Sequence, residues 1–267
     1  MNDTNTLGTR QFVKHQVQMG AIFYCSTSGG KDSQAMAIRL RRWVPADQIV
    51  YVHADLGTVE WQGVQSHINK YLPCQAELNV VRAIDKHGNE KTLLSEVERK
   101  AAAKPNTVPW PSSAMRWCTS DLKRGPIYKF IRNDMKSRGA TRAINCMGLR
   151  AQESTARAKL EHIKLNKMLS KAGRTIYDFL PIHDWSTEDV FGQIEAAGET
   201  AHPAYAGGNE RLSCMFCIMG SPNDLRHAAR ENPELAAQYI EIEERTGHTL
   251  FHKKSLAQII ATDGGAA

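Results

Sequence analysis

Tyr24-Cys25-Ser26-Thr27-Ser28-Gly29-Gly30-Lys31-Asp32-Ser33 decides how the rest of the chain is read. The apolar run Ala21-Ile22-Phe23-Tyr24 leads into it, and Gln34-Ala35-Met36-Ala37-Ile38-Arg39-Leu40, with helical periodicity, follows. A strand, a glycine turn and a helix start therefore succeed one another without a spacer. Helix N-termini carry unpaired N–H groups and partial positive charge, so they suit phosphates. Gly29 and Gly30 let the backbone approach an anion closely. Ser28 and Ser33 add hydroxyls, and Lys31 adds a point charge. The spacing differs from G-x-x-x-x-G-K-[ST], which argues against ordinary γ-phosphate chemistry. On the glycines alone, a plain strand-to-helix turn remains open.

Outward from this stretch, strands and helices alternate. Gly20–Cys25 reads as the first strand, and the helix after the loop stops before Pro45. Gln48–His53 is a second strand, Val59, Val64, Ile68 and Leu72 mark a helix, and Leu78–Val81 is a third strand. A charged helix over Lys91–Lys104 precedes the proline-rich loop Pro105–Ser113. A further helix runs through Ile127, Phe130 and Ile131, followed by strands at Ala143–Met147 and Thr175–Ile182. Ser186 with Asp189 caps another helix. Ser221-Pro222 and Asn232-Pro233 each pair an N-cap with proline at the first helical position, and Gly247 closes the second of these helices. Such alternation predicts an α/β fold with a parallel sheet, whose ligands lie beyond the carboxyl ends of the strands. The same rule brings forward Asp55 and Glu60, after the second strand, as carboxylates to hold Mg²⁺ or orient a nucleotide, or as mere loop and cap residues.

The totals narrow the class. With 267 residues, 42% of them apolar, the chain can bury a substantial core. Met1–Gly20 is polar with no signal-peptide core, and no apolar run reaches the roughly 18 residues of a membrane span. A cytoplasmic protein with no membrane partner is expected. Net charge is +6, concentrated in Arg150, Arg157, Lys159, Lys164, Lys167, Lys171 and Arg174. Such a stretch attracts the phosphates of a nucleotide or nucleic acid, or forms one solvated helix face. Six cysteines in a reducing compartment point to metal or catalytic roles rather than disulfides.

Four ordered strings between Ala21 and Cys217 carry a family resemblance. Ser28-Gly29-Gly30-Lys31-Asp32-Ser33 resembles the pyrophosphate loop of the adenine nucleotide α-hydrolase superfamily, which cleaves ATP between its α and β phosphates. Arg116-Trp117-Cys118-Thr119-Ser120-Asp121-Leu122-Lys123-Arg124-Gly125-Pro126 is similar to a Cys-Thr-x-x-x-Lys-x-x-Pro segment whose lysine faces the nucleotide. Gly148-Leu149-Arg150-Ala151-Gln152-Glu153-Ser154-Thr155-Ala156-Arg157 resembles Gly-x-Arg-x-x-Glu-Ser-x-x-Arg. Pro181-Ile182-His183-Asp184-Trp185 with Asp189-Val190 resembles the segment after the last core strand. Together they identify the phosphoadenosine phosphosulfate reductase-like branch.

The resemblance implies a Rossmann-like, HUP-type sheet with helices on both faces and a helical C-terminal extension. The domain would span residues 20–220, after a polar segment 1–19 and before the extension 221–267. It implies a nucleotide site at Ser26, Ser28, Gly29, Gly30, Lys31, Asp32, Ser33, Asp55, Lys123, Gly148, Arg150, Glu153 and Arg157, with Lys31, Asp32, Lys123 and Arg150 catalytic. Arg150 and Arg157 can fork onto phosphate or sulfate oxygens, with Glu153 and Ser154 fixing them. Leu56 stands where relatives carry Thr in the Asp55–Glu60 segment.

Cys214-x-x-Cys217 is half a metal site, and Cys118 supplies a third thiol. Cys146 is a fourth candidate, or a buried core thiol. Cys25 and Cys74 read as structural. Three thiols suit a [4Fe–4S] cluster with an open iron; four suit a closed cluster or Zn²⁺. Ala261–Ala267 holds no tail cysteine of the kind thioredoxin-dependent reductases use, and no Cys-Cys pair occurs.

The preferred expectation is an enzyme that uses ATP and Mg²⁺ to activate an acceptor for sulfur transfer. Its partners would be the nucleotide, a nucleic-acid acceptor and a sulfur-donor protein, as in DNA phosphorothioation or RNA thiolation. Reduction of APS or PAPS to sulfite is the alternative, and a nucleic-acid-binding module with structural zinc is a third.

Overall fold

A computed structural model describes residues 3–251 and 254–261. The Gly/Ala tail read after Ala261 lies outside the described residues. The chain divides into two compact units, one running to His53 and adding Gly63–Val81 and Ile127–His202. The other holds Ala54–Gln62, Arg82–Pro126 and the chain from Pro203 onward.

The first unit is built on six strands: β1 (Ile22–Thr27), β2 (Ile49–Ala54), β3 (Leu78–Val81), β4 (Arg142–Cys146), β5 (Ile163–Leu165) and β6 (Thr175–Phe179). Their order is β3-β2-β1-β4-β6-β5. β1 pairs in parallel with β2 and β4, and β4 with β6, while β5 adds an antiparallel edge. β1 and β2 are mainly apolar and almost wholly buried because both faces are covered. Phe23 and Cys25 of β1 face a core completed by Met36, Ile38, Leu40, Val190 and Ile194. Ile22 and Tyr24 face the opposite core, with Ile131 and Met135. Helices thus cover both faces of the sheet, as the resemblance implies. Each large side chain fully buried there stabilises by about 1.5–3 kcal/mol.

Two elements add to the sequence expectations. Residues 3–18, within the polar N-terminal segment, form a helix whose Phe12 packs edge-on to Tyr177 at 5.5 Å. The Arg150–Arg174 stretch is no helix face. It holds a four-residue helix (Thr155–Ala158), the strand β5 and turns. Asn166, just after β5, donates to both oxygens of Asp178 and to Tyr128, and its own oxygen accepts from the N–H groups of Met168 and Leu169. That network fixes a turn which propensity alone would not.

The second unit is mainly helical, with helices at Leu93–Ala103, Pro222–Glu231, Pro233–Thr246 and Leu256–Ala261. The N-caps read at Ser221 and Asn232 are present, accepting from the N–H groups of Asp224 and Leu235. Gly247 ends the third helix with a left-handed φ of 68°. Tyr239 is fully buried between Trp110, stacked at 5.6 Å, and Phe216 at 4.9 Å. Glu243 accepts from the N–H groups of Leu250 and Leu256, tying the last helix down.

Candidate functional site

In the first unit, β1 lies where the strand order reverses, between β2 and β4. In open parallel sheets that is where ligand crevices form. The loop after β1 is pre-shaped. Gly29 has φ 72°, which a side chain would strain, and Gly30 caps the helix Lys31–Trp43 without a side-chain bond. The Ser33 hydroxyl donates to the Gly30 carbonyl at 2.9 Å and accepts from the Ser28 N–H at 3.1 Å. The Ser28 hydroxyl lies 3.2 Å from it. The two serines therefore staple the loop across its own turn. A small cleft of about 30 Å³ is lined by Thr27, Gly29, Ser33, Gln34, His67 and Tyr71, among others.

The segment after β4 closes onto this loop. A Cβ on Gly148 would lie 2.8 Å from the Asp32 carbonyl oxygen, so only glycine allows the approach. Arg150 Nε then donates to Asp32 Oδ1 at 2.5 Å. Its Nη1 reaches Gln152 Oε1 at 2.7 Å and the Trp185 carbonyl at 3.1 Å, and its Nη2 reaches Thr187 Oγ1 at 3.3 Å. Arg150 is buried, and all three guanidinium nitrogens have protein partners. It was expected to fork onto an anion; here it organises the loop that would hold one. Lys31, also buried, pairs with the other Asp32 oxygen at 3.4 Å. Glu153 accepts the Arg150 N–H at 3.0 Å and pairs with Arg157. Trp185 and Thr187 belong to this arginine cage. Ser26 extends β1 and is only partly exposed.

In the second unit, Asp55 is spoken for. Its Oδ2 accepts from Arg82 Nε at 2.8 Å and Nη2 at 2.6 Å, and its Oδ1 accepts the Gly57 N–H at 2.7 Å. Both oxygens of this buried carboxylate thus already accept hydrogen bonds from protein groups in this arrangement. Glu60 forms an isolated bridge to Cys214, and Met215 N–H donates to the Val59 carbonyl at 2.8 Å. These backbone bonds fix the start of the Cys-x-x-Cys turn.

Cys118–Arg124 is a seven-residue π-helix, a form that recurs at functional sites. Gly125 N–H donates to the Ser120 carbonyl five residues back, and a Cβ there would lie 3.1 Å from that oxygen. Cys118 and Lys123 lie on this helix. Burial raises the Cys118 thiol, and the Lys123 charge opposes that rise. The Cys214 S–H, the Ser213 side chain and the Met219 N–H hold Cys217 below the usual thiol range, while Cys214 is pushed well above it. Lys123 lowers all three thiols. Cys118, Cys214 and Cys217 are partly exposed. Three thiols within one unit are a donor set of the kind that holds zinc or an iron–sulfur cluster. Cys146 is fully buried in β4 with its thiol raised by burial and by Cys25, which marks a core thiol. Cys25 is likewise buried, and Cys74 is exposed. No helix among the described residues is long and apolar enough to cross a membrane.

Comparison with known proteins adds three results. The chain is 31% identical over 137 residues to an uncharacterized 37.8 kDa protein of Escherichia phage 186, covering 50% of this chain and 39% of that one. It is 26% identical over 125 residues to an uncharacterized protein of Methanocaldococcus jannaschii, covering 47% and 24%. The matched region thus spans well under half the length of these curated relatives. Among solved structures, it is similar to a phosphoadenylyl-sulfate reductase from Candida auris in a phosphate complex (TM-score 0.49, 16% identity, 78% of this chain and 89% of that one). It is also similar to a Candida glabrata FMN adenylyltransferase with FAD and pyrophosphate (TM-score 0.40, 14% identity, 73% and 55%). The family model for the phosphoadenosine phosphosulfate reductase domain matches residues 22–219, which takes in β1 with its loop, the π-helix, the arginine cage and both cysteines of the Cys-x-x-Cys turn. The chain belongs to the phosphoadenosine phosphosulfate reductase domain family.

Proposed function

We propose that this protein binds ATP or a related adenine nucleotide, cleaves it at the α phosphate, and so activates an acceptor for sulfur transfer. The observation that carries this reading is the locked loop Ser28–Ser33 at the helix start, backed by Gly148 and the Asp32–Arg150 pair. In the proposed reaction an acceptor oxygen attacks Pα and the bond from Pα to the bridging oxygen breaks. Pyrophosphate leaves with that electron pair, and the acceptor proton passes to solvent. The N–H groups at the start of the helix hold the leaving pyrophosphate, and Lys31 neutralises charge growing on the bridging oxygen. Preorganised charge of this kind is usually the largest catalytic contribution. Asp32 keeps Lys31 and Arg150 in register. Mg²⁺ would travel on the nucleotide phosphates, which suits its reluctance to dehydrate.

Cys118, Cys214 and Cys217 would hold a [4Fe–4S] cluster, which would supply an open iron able to carry sulfide. Lys123 offsets the negative charge those thiolates accumulate. A nucleic acid is the acceptor we favour, given the basic residues Lys159, Lys164, Lys167 and Lys171.

One observation favours a second reading. Hydrogen bonds hold the Cys217 thiol below its usual range, as suits a nucleophile that attacks the sulfur of APS or PAPS, expels the nucleotide and leaves an S-sulfocysteine, from which an added thiol reductant displaces sulfite as a disulfide forms.

The discriminating experiment incubates anaerobically purified protein with Mg²⁺ and either α-labelled ATP or APS and PAPS with a thiol reductant. AMP and pyrophosphate, lost in Lys31→Ala, support activation. Sulfite, lost in Cys217→Ser, replaces it with reduction.

A further inference from the structure

Outside the sites above, three side chains in the first unit converge with no role in the chemistry just proposed. His162 Nε2 lies 3.0 Å from Asp184 Oδ1 and 3.3 Å from His183 Nδ1, and His183 Nδ1 lies 3.4 Å from Asp184 Oδ1. His183 Nε2 is 2.9 Å from the Arg157 carbonyl oxygen. A carbonyl only accepts, so the His183 proton belongs on Nε2 and its Nδ1 presents a lone pair. That lone pair, the Asp184 carboxylate and His162 Nε2 then meet at one point, and only His162 can bring a proton to it.

We propose that His162, His183 and Asp184 form a mononuclear site for a divalent transition metal of the zinc class. Metal–ligand bonds of about 2.1 Å put tetrahedral donors about 3.4 Å apart, and the observed separations run from 3.0 to 3.4 Å. Two imidazoles and one carboxylate select zinc, iron or nickel over magnesium, which prefers oxygen alone. The bond from His183 to a backbone carbonyl is the outer-shell contact that orients a metal-binding imidazole. Both histidines are also held by their main chains. The His162 carbonyl accepts from Leu180 N–H and the His183 carbonyl from Ala151 N–H, each at 2.8 Å. His183 is buried and the Asp184 side chain is 54% exposed, which leaves the fourth position open to water. An ion there ties the residue before β5 and the two after Ile182 to the main chain of Arg157, bracing the segment that carries the arginine cage.

The test titrates the chelator-treated full chain with Co²⁺, a spectroscopic stand-in for Zn²⁺. One equivalent should bind without a thiolate-to-metal charge-transfer band and raise the unfolding temperature. Affinity should fall at least tenfold in His162→Gln and in Asp184→Asn. Both side chains reach solvent, so these variants keep the fold where His183→Ala risks losing it. Co²⁺ at the cysteines declares itself by its charge-transfer band and vanishes in Cys217→Ser. The proposal fails if every bound Co²⁺ carries that band, if none binds, or if the two variants bind as the parent does.

Discussion

Arg150 Nε donates to Asp32 Oδ1 at 2.5 Å across 118 residues of sequence, joining the loop after β1 to the loop after β4. Arg150 is buried and Asp32 only partly so, and losing a charge-assisted bond of this kind typically costs about 1.5–3 kcal/mol. Arg150→Ala should therefore destabilise the protein by about 3 kcal/mol, as read from urea unfolding. Asp32→Ala should cost less, because Arg150 keeps Gln152, Trp185 and Thr187. The double variant should recover about 1–3 kcal/mol of the summed losses. Strict additivity would mean the pair is not a working contact.

Gly148 makes a sharper claim about the same junction. Its added Cβ would meet the backbone of Asp32 rather than a flexible side chain, so one segment must move. Gly148→Ala should cost about 1–3 kcal/mol and weaken ATP or PAPS binding by more than Ala does at Gly192, which has open space around it. Calorimetric titration of the two variants compares them directly. Equal affinities would show that the loop tolerates the displacement.

The parts of this architecture written in local signals were legible beforehand. The strand, glycine turn and helix around Gly29 and Gly30 follow one another in sequence, and the caps at Ser186, Ser221 and Asn232 each involve a bond three residues long. What escaped depends on distant partners. Asp55 pairs with Arg82, 27 residues on, and no spacing rule announces that. β5 has only Ile163-Lys164-Leu165, too short for an alternation to emerge from its basic surroundings. The π-helix rests on Gly125 approaching the Ser120 carbonyl, a contact invisible to periodicity. The inward cage of Arg150 likewise needs Trp185 and Thr187 from another segment.

The thiols divide by environment, and alkylation should read the division. Cys217 is held below the usual thiol range by hydrogen bonds and Lys123, whereas burial pushes Cys25 up to about 12. In cluster-free protein at neutral pH, iodoacetamide should modify Cys217 at a rate nearly flat with pH above 7. Exposed Cys74 should also be modified in the folded protein, and Cys25 should stay unmodified until the protein unfolds. Peptide mass spectrometry over a pH series resolves each site. Lys123→Gln should slow Cys217 at pH 6–7, since it removes a charge that stabilises the thiolate.

His67 predicts an acid limit. Burial, with His202 and Lys70 nearby, lowers its pKa from 6.5 to about 4. Between those values the unfolded chain binds a proton that the folded one refuses, so stability rises with pH across that window. Its contribution is complete above about pH 6.5 and erodes as pH falls toward 4. The ring accepts or donates to Gln34 Oε1 at 3.2 Å, and Gln34 is tied in turn to Glu199 and Thr200. Charging His67 therefore disturbs the cleft next to the loop as well as the fold. Thermal unfolding from pH 4 to 8 should show a falling midpoint on the acid side, and His67→Gln should flatten that limb while leaving the plateau near neutrality little changed. An acid limb of unchanged slope in the variant would assign the loss to other groups.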